Sequence, residues 1–208
     1  MKDTTLIDNV AGASEIFKEE VRRQASTLLQ GFASVDRTEV ISATGNPALH
    51  GRWMSIIILA GKALKMNFRV HFNEEVAKQL ALKVYAKKPE EISTAQAVDF
   101  VKEFCNLVAG GVKRTMQDHQ MQSLISMPLI TRGTDEVFFD IGQPEVAGEL
   151  PLPKKADHEA GQQDRWTIQT ERGDILCSVT FDILEPDAVQ TLKDKKTDDA
   201  AEEEVEFL

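Results

Sequence analysis

The chain has 208 residues, of which 42% are hydrophobic and 28% charged, and this composition is typical of one folded, soluble domain with appendages. Its formal net charge is −10 and its cationic residues are scattered, so we expect neither nucleic acid nor a membrane surface as a partner. Since no apolar run approaches the ~20 residues of a membrane-spanning helix and no secretion signal opens the chain, we expect a cytoplasmic protein.

The first predicted element is an amphipathic helix over residues 14–32, where apolar residues recur every three or four positions. We assign residues 1–37 to an N-terminal helical segment. Three strands are then predicted, at residues 38–43, 53–59 and 65–72. The third alternates apolar with polar residues, which is typical of a strand with one solvated face and favours an antiparallel sheet.

Two helices follow the third strand. Asn73 is predicted to cap the first, whose acidic first turn suits a helix N-terminus, and Pro89 marks its end. The second opens at Ser93 or Thr94 and spans residues 95–116. It carries the most informative pattern in the chain.

Two hairpins are predicted after the long helix, each with a turn-forming segment between apolar runs. They pair residues 124–131 with 136–141, and residues 166–169 with 175–183. We find no internal repeat and no second copy of the long helix. The fold class expected is α+β, with an antiparallel sheet packed against long helices.

Two segments lack periodicity. Residues 142–164 are rich in Pro, Gly and charged residues and are predicted to be a mobile excursion. Residues 186–208 are predicted to be an acidic, disordered tail. Its last residues, 197–208, end in Phe207 and Leu208, so they are either a solubilising end or a weak tether for a partner.

One face of the long helix is polar. With 3.6 residues per turn, Asp99, Glu103, Asn106 and Gly110 project within an arc of roughly 60°. The opposite side is apolar and includes Val98, Val101, Cys105, Val108 and Val112. From the residues alone, an ordinary solvated helix face is the favoured interpretation.

Two consecutive glycines, Gly110 and Gly111, follow Asn106 by one turn. Each costs about 1 kcal/mol of helix stability relative to Ala. A helix with two such residues in mid-course indicates close packing or the close approach of another surface. Lys102 and Lys113 lie at the margin of the polar face.

The spacing Asp99-x-x-x-Glu103-x-x-Asn106-x-x-x-Gly110 resembles the phosphatase signature of the CheC, CheX and FliY family of chemotaxis proteins. The order of elements agrees over about residues 40–183. The resemblance implies a CheX-like fold and a phosphatase domain at residues 38–185 that includes the excursion. Because only one copy of the motif is present, the chain is similar to CheX rather than to two-copy CheC.

The resemblance also implies a function and its residues. The chain would be a hydrolase that removes the phosphoryl group from the aspartate of a CheY-like receiver domain, ending a chemotaxis or other two-component signal. Asn106 would hold the attacking water in line with phosphorus, and Glu103 would pair with the receiver's active-site lysine. Asp99, Lys102, Gly110 and Lys113 would contribute to receiver docking.

The remaining expectations concern cofactors and partners. The chain itself would need no metal, since the divalent ion, Mg²⁺, would belong to the response regulator's receiver domain. CheX-like proteins form homodimers, so the resemblance implies a dimer. The alternative function is a receiver-binding or scaffold module without turnover, and retention of both Glu103 and Asn106 favours the enzyme.

Other candidate sites are weaker. The four histidines, His50, His71, His119 and His158, show no metal-ligand spacing. Cys105 lies inside the motif but on the apolar side of the helix, where a thiol is unreactive. We therefore interpret it as a core residue.

Overall fold

The computed structural model describes residues 3–43, 53–132 and 162–192. The elements in chain order are α1 (Asp3–Ala33), β1 (Thr38–Ser42), β2 (Trp53–Gly61), β3 (Leu64–Phe72), α2 (Glu74–Tyr85), a 3-10 turn (Pro89–Glu91), α3 (Thr94–Asp118), β4 (Ser123–Ile125), β5 (Leu129–Arg132), β6 (Gln162–Thr170), β7 (Gly173–Ile183) and α4 (Pro186–Gln190). Within these described residues, no helix has the length and apolar character that a bilayer crossing requires.

The strands of the described residues form one antiparallel sheet. Its order is β1-β6-β7-β3-β2-β4, and β5 also pairs with β2. The central pair, β3 and β7, runs from Leu64 opposite Ile183 to His71 opposite Leu176. The predicted α+β class with an antiparallel sheet is confirmed.

Alternation along the strands places one apolar face of the sheet against the helices. Met66, Phe68 and Val70 on β3 are all buried. Phe68 lies edge-on to Phe104 of α3, with ring centroids 6.4 Å apart. Phe181 of β7 makes a similar contact with Phe17 of α1 at 4.9 Å. Helices α1 and α3 therefore share one core with the sheet.

The two halves of the chain repeat one order of elements. A long helix, an outer strand, a hairpin and a short helix occur first as α1–β1–β2–β3–α2 and again as α3, the divided strand β4 and β5, the hairpin β6–β7, and α4. Ser34 after α1 and Gln120 after α3 have positive φ, 49° and 62°, as does Ala86 after α2 at 51°. The order of elements is thus repeated although the amino-acid sequence is not. A buried position requires an apolar side chain but not one particular residue, so two similar folds can have dissimilar sequences.

The predicted strand at residues 124–131 is divided into β4 and β5, both paired with β2. Pro128, between them, has no N–H to donate to the ladder. At the break, the Ser126 backbone N–H still donates to the Ile58 carbonyl at 2.8 Å. The predicted partner run, residues 136–141, lies outside the described residues.

Several predicted boundaries change, beginning with α1, which starts at Asp3 rather than at residue 14. Residues 162–164, placed in the excursion, belong to β6, and the rest of the excursion lies outside the described residues. The tail predicted from residue 186 instead begins with helix α4, in which Val189 is buried. A proline opens this short helix, and its buried valine packs it against the rest of the fold, where α4 contacts α1. Residues 193–208, including the suggested tether, lie outside the described residues.

Candidate functional site

The site lies on α3, whose start is fixed by a reciprocal cap. The Gln96 backbone N–H donates to Ser93 Oγ at 3.2 Å, and the Ser93 N–H donates to Gln96 Oε1 at 3.1 Å. These bonds satisfy two of the donors that a helix N-terminus leaves unpaired. The cap sets the register of the turns that follow.

Burial of one side of α3 sets the orientation of the other. Phe100 and Phe104 are buried, and Phe100 stacks on Phe32 of α1 at 4.9 Å. This packing holds Glu103 on the exposed side, with Asn106 half-buried next to it. Asn106 Nδ2 donates to Glu103 Oε2 at 3.2 Å. An amide and a carboxylate are thus joined on one accessible turn.

The other predicted docking residues fall into two groups. Gly110 lines a surface pocket together with Glu103 and Asn106. Asp99 and Lys102 form a long ion pair, 3.9 Å between Oδ1 and Nζ, one turn earlier. Neither of them, nor Lys113, lines that pocket. The predicted face is therefore continuous along α3, but only three of its members meet at the pocket.

Helix α1 forms the second wall of this pocket, whose volume is about 250 Å³. The lining residues are Gln24 and Leu28 from α1 and Glu103, Asn106, Leu107, Gly110, Gly111, Arg114, Thr115 and Asp118 from α3. The predicted site residues did not include seven of these: Gln24, Leu28, Leu107, Gly111, Arg114, Thr115 and Asp118. Helical spacing could have indicated Arg114, which follows Gly110 by four residues, but no local pattern indicates which residues of α1 face α3.

The two glycines of α3 have different surroundings. A Cβ at Gly111 would lie 2.3 Å from Gln24 Oε1 and 3.2 Å from Leu28 Cδ1. A Cβ at Gly110 would meet no atom within 4 Å. Gly111 therefore permits the close contact of α1 with α3, whereas Gly110 leaves open space beside Asn106.

A polar cluster joins α1 to α3 at the pocket wall. Thr115 Oγ1 donates to Glu20 Oε1 at 2.8 Å, and Gln24 Nε2 donates to the same oxygen at 2.8 Å. Arg23 adds two hydrogen bonds to the Glu20 carboxylate. Burial raises the pKa of Glu20, but the hydrogen bonds from Arg23, Gln24 and Thr115 outweigh it and leave this pKa below its ordinary value. The ionised Glu20 carboxylate, with its hydrogen bonds formed, holds α1 against α3 at the pocket wall.

Cys105 lies between the two site residues in sequence but behind them in space. It is fully buried, and this burial raises the pKa of its thiol to about 12. A thiol with such a pKa is not a nucleophile at neutral pH. The structure thus places Cys105 in the core, as predicted from its side of the helix.

The described parts of the chain contain no candidate metal-binding site. There, no three His, Cys, Asp or Glu side chains are grouped so that they could hold a metal ion. The side chains of the site itself are one carboxylate and one amide within hydrogen-bond distance.

Comparison with known proteins supports the sequence resemblance. Residues 53–141, which include α2 and α3, match the family described as chemotaxis phosphatase CheX. The match covers somewhat less than half of the chain and includes the whole polar face of α3. The resemblance to CheX is thereby confirmed. No curated protein matches the chain in sequence.

Solved structures share the fold over most of the chain. A chemotactic CheC-like protein from Shewanella oneidensis superposes with a TM-score of 0.57 at 18% identity, covering 80% of this chain and 98% of its own. The chemotaxis protein CheX from Vibrio vulnificus gives 0.55 at 17% identity, covering 80% and 96%. A complex of CheX with CheY, BeF3 and Mg²⁺ from Borrelia burgdorferi gives 0.56 at 15% identity, covering 79% and 97%. The fold is therefore CheX-like and CheC-like.

Proposed function

We propose that this protein is a phosphatase that hydrolyses the aspartyl phosphate of a CheY-like receiver domain. The observation that carries the proposal is the Asn106–Glu103 pair, an amide and a carboxylate joined at 3.2 Å on an accessible turn of α3. The same turn lies within the segment that matches the chemotaxis phosphatase family. The open space at Gly110 leaves room for a docked protein beside Asn106.

Asn106 is the residue suited to act on water. Phosphoryl transfer passes through a loose transition state, so catalysis depends mainly on positioning the nucleophile. A neutral amide accepts a hydrogen bond from water through its oxygen and donates one through its nitrogen. Asn106 would therefore orient a water in line with the phosphorus without needing to carry charge.

Glu103 is suited to docking. Its exposed carboxylate accepts a charge-assisted hydrogen bond from a cation, which we propose is the lysine of the receiver's active site. In the free protein the same carboxylate engages the Asn106 amide. When Glu103 turns to the lysine, Asn106 loses this partner and its amide becomes available to water. Docking and the freeing of the catalytic amide would then be one event.

The divalent metal in this proposal belongs to the receiver. Among the described residues of this chain, no cluster of His, Cys, Asp or Glu could hold a metal ion. The structurally similar CheX from Borrelia burgdorferi is in a complex that contains CheY, BeF3 and Mg²⁺. Mg²⁺ held by carboxylates of the receiver would neutralise charge on the phosphoryl oxygens. This chain would supply the water and the docking surface.

The physiological role that follows is the end of a chemotaxis or other two-component signal. We also propose that the protein is a homodimer, as the resemblance to CheX implies. Light scattering coupled to size-exclusion chromatography measures this directly. A mass of one chain across micromolar concentrations would overturn the dimer and leave the catalytic proposal standing.

The test of the function is the decay of a radiolabelled phosphoryl group on a purified CheY-like receiver, with Mg²⁺ present, with and without catalytic amounts of this protein. Faster decay with several turnovers per molecule supports the enzyme. Binding to the phosphorylated receiver without faster decay would instead assign a non-catalytic receiver-binding or scaffold module.

A further inference from the structure

The pocket between α1 and α3 is contiguous with the catalytic pair. Glu103 and Asn106 line it at one end, and Arg114 lies eleven residues along α3 from Glu103. At 1.5 Å per residue, the backbone positions of these two residues are about 16 Å apart along the helix axis. A partner that presents its phosphoaspartate to Asn106 would therefore lie next to this pocket.

The size and lining of the pocket indicate what could fill it. Its volume of about 250 Å³ is below the range of about 300–1,000 Å³ that is usual for small-molecule and cofactor sites. Leu28 and Leu107, both half-buried, provide its apolar part, with the bare backbone at Gly110. Such a depression suits a single apolar side chain of the kind that anchors protein interfaces.

The pocket is preformed. Thr115 of α3 donates a hydrogen bond to Glu20 and accepts one from Gln24, which ties the α1 wall to α3. The missing side chain at Gly111 lets the two helices meet. A preformed anchor site gains affinity because little has to be ordered on binding. Its α1 wall also lies outside the segment, residues 53–141, that matches the phosphatase family.

We propose that this pocket takes one apolar side chain of the receiver domain, beside the phosphoaspartate, so that Leu28 of α1 helps to select which receiver docks. The inference rests on the proposed function. Glu103 at one end favours a cation of the receiver, whereas the far end carries both Arg114 and Asp118. Helix α1 is thereby part of the recognition surface.

The test compares three variants for binding to a CheY-like receiver held in its phosphorylated form by BeF3 and Mg²⁺, and for kcat and KM on the phosphorylated receiver. Leu28→Gln places an amide in the apolar part of the pocket. Gly110→Leu places an apolar side chain at the pocket; its Cβ meets no atom within 4 Å, and the change improves helix propensity, so we expect the variant to fold. Leu82→Gln is the control, a half-buried leucine on α2 that does not line the pocket.

We expect Leu28→Gln and Gly110→Leu each to weaken receiver binding and to raise KM by about ten-fold. We expect kcat at saturation to stay within about two-fold for Leu28→Gln, because Asn106 is untouched. Leu82→Gln should match the wild type. If the wild type is active and both pocket variants bind and turn over like it, the pocket inference is wrong and the function stands. If the wild type accelerates no receiver, the proposed function fails and the inference fails with it.

Discussion

Gln24 of α1 and Gly111 of α3 lie so close that a Cβ on Gly111 would be 2.3 Å from Gln24 Oε1. Gly111→Ala would require the Gln24 side chain to shift, and we expect the shift to weaken its hydrogen bonds with Glu20 and Thr115. Gly110→Ala meets no atom, so we expect it to stabilise the fold by about 0.5–1 kcal/mol. We expect Gly111→Ala to be less stable than Gly110→Ala by about 1–2 kcal/mol. Urea unfolding of the pair measures the difference, and equal midpoints would show that α1 does not depend on this contact.

The acid stability of the protein should depend on Glu20. Its folded pKa is depressed, so its contribution is present above the ordinary value of 4.5 and is lost as pH falls through the lower folded value. Stability measured by urea unfolding should therefore fall below about pH 4.5 in the wild type, and less steeply in Glu20→Gln. Parallel pH profiles for the two proteins would mean that the carboxylate is not preferentially ionised in the fold.

The cysteines should be inert in the folded protein. Burial raises the pKa of Cys105 to about 12 and places that of Cys177 well above its ordinary value. Neither thiol forms its thiolate at pH 7.5, so iodoacetamide should leave both unmodified until urea unfolds the chain. Mass spectrometry counts the adducts. Rapid modification of Cys105 in the native protein would contradict its place in the core.

Helical periodicity predicted the orientation of α3 because it is a local property. The apolar spacing around Phe104 and the cap at Ser93 both depend on residues close together in the sequence. The structure has the predicted buried face and the predicted cap. The contribution of α1 was not predictable in this way, since Leu28 approaches Gly111 at the pocket only through tertiary packing. The ordered helix α4 also depends on contacts with a distant element, since it packs against α1. The roles of Glu103 and Asn106 remain predictions.

Glu103 should govern docking more than chemistry. Glu103→Ala removes the carboxylate, and Glu103→Lys places a cation where we propose the receiver's lysine lies. We expect affinity for the BeF3-bound receiver to fall about ten-fold for Glu103→Ala and further for Glu103→Lys. Titration by fluorescence or calorimetry provides both dissociation constants. Glu75→Lys, an exposed reversal on α2, is the matched control. If Glu103→Lys binds as the wild type does, the proposed docking pose is wrong.

The most direct test of the proposed function is the turnover of Asn106→Ala on a phosphorylated CheY-like receiver. An amide that orients water acts mainly in the transition state, so its loss should lower kcat by about 100-fold or more and leave the affinity for the BeF3-bound receiver nearly unchanged. Single-turnover decay of the labelled phosphoryl group, measured with saturating protein, provides the rate for both proteins. We predict that the wild type accelerates decay, and that Asn106→Ala binds the receiver but does not accelerate decay. An Asn106→Ala variant with wild-type turnover would contradict the assignment of Asn106 as the catalytic residue.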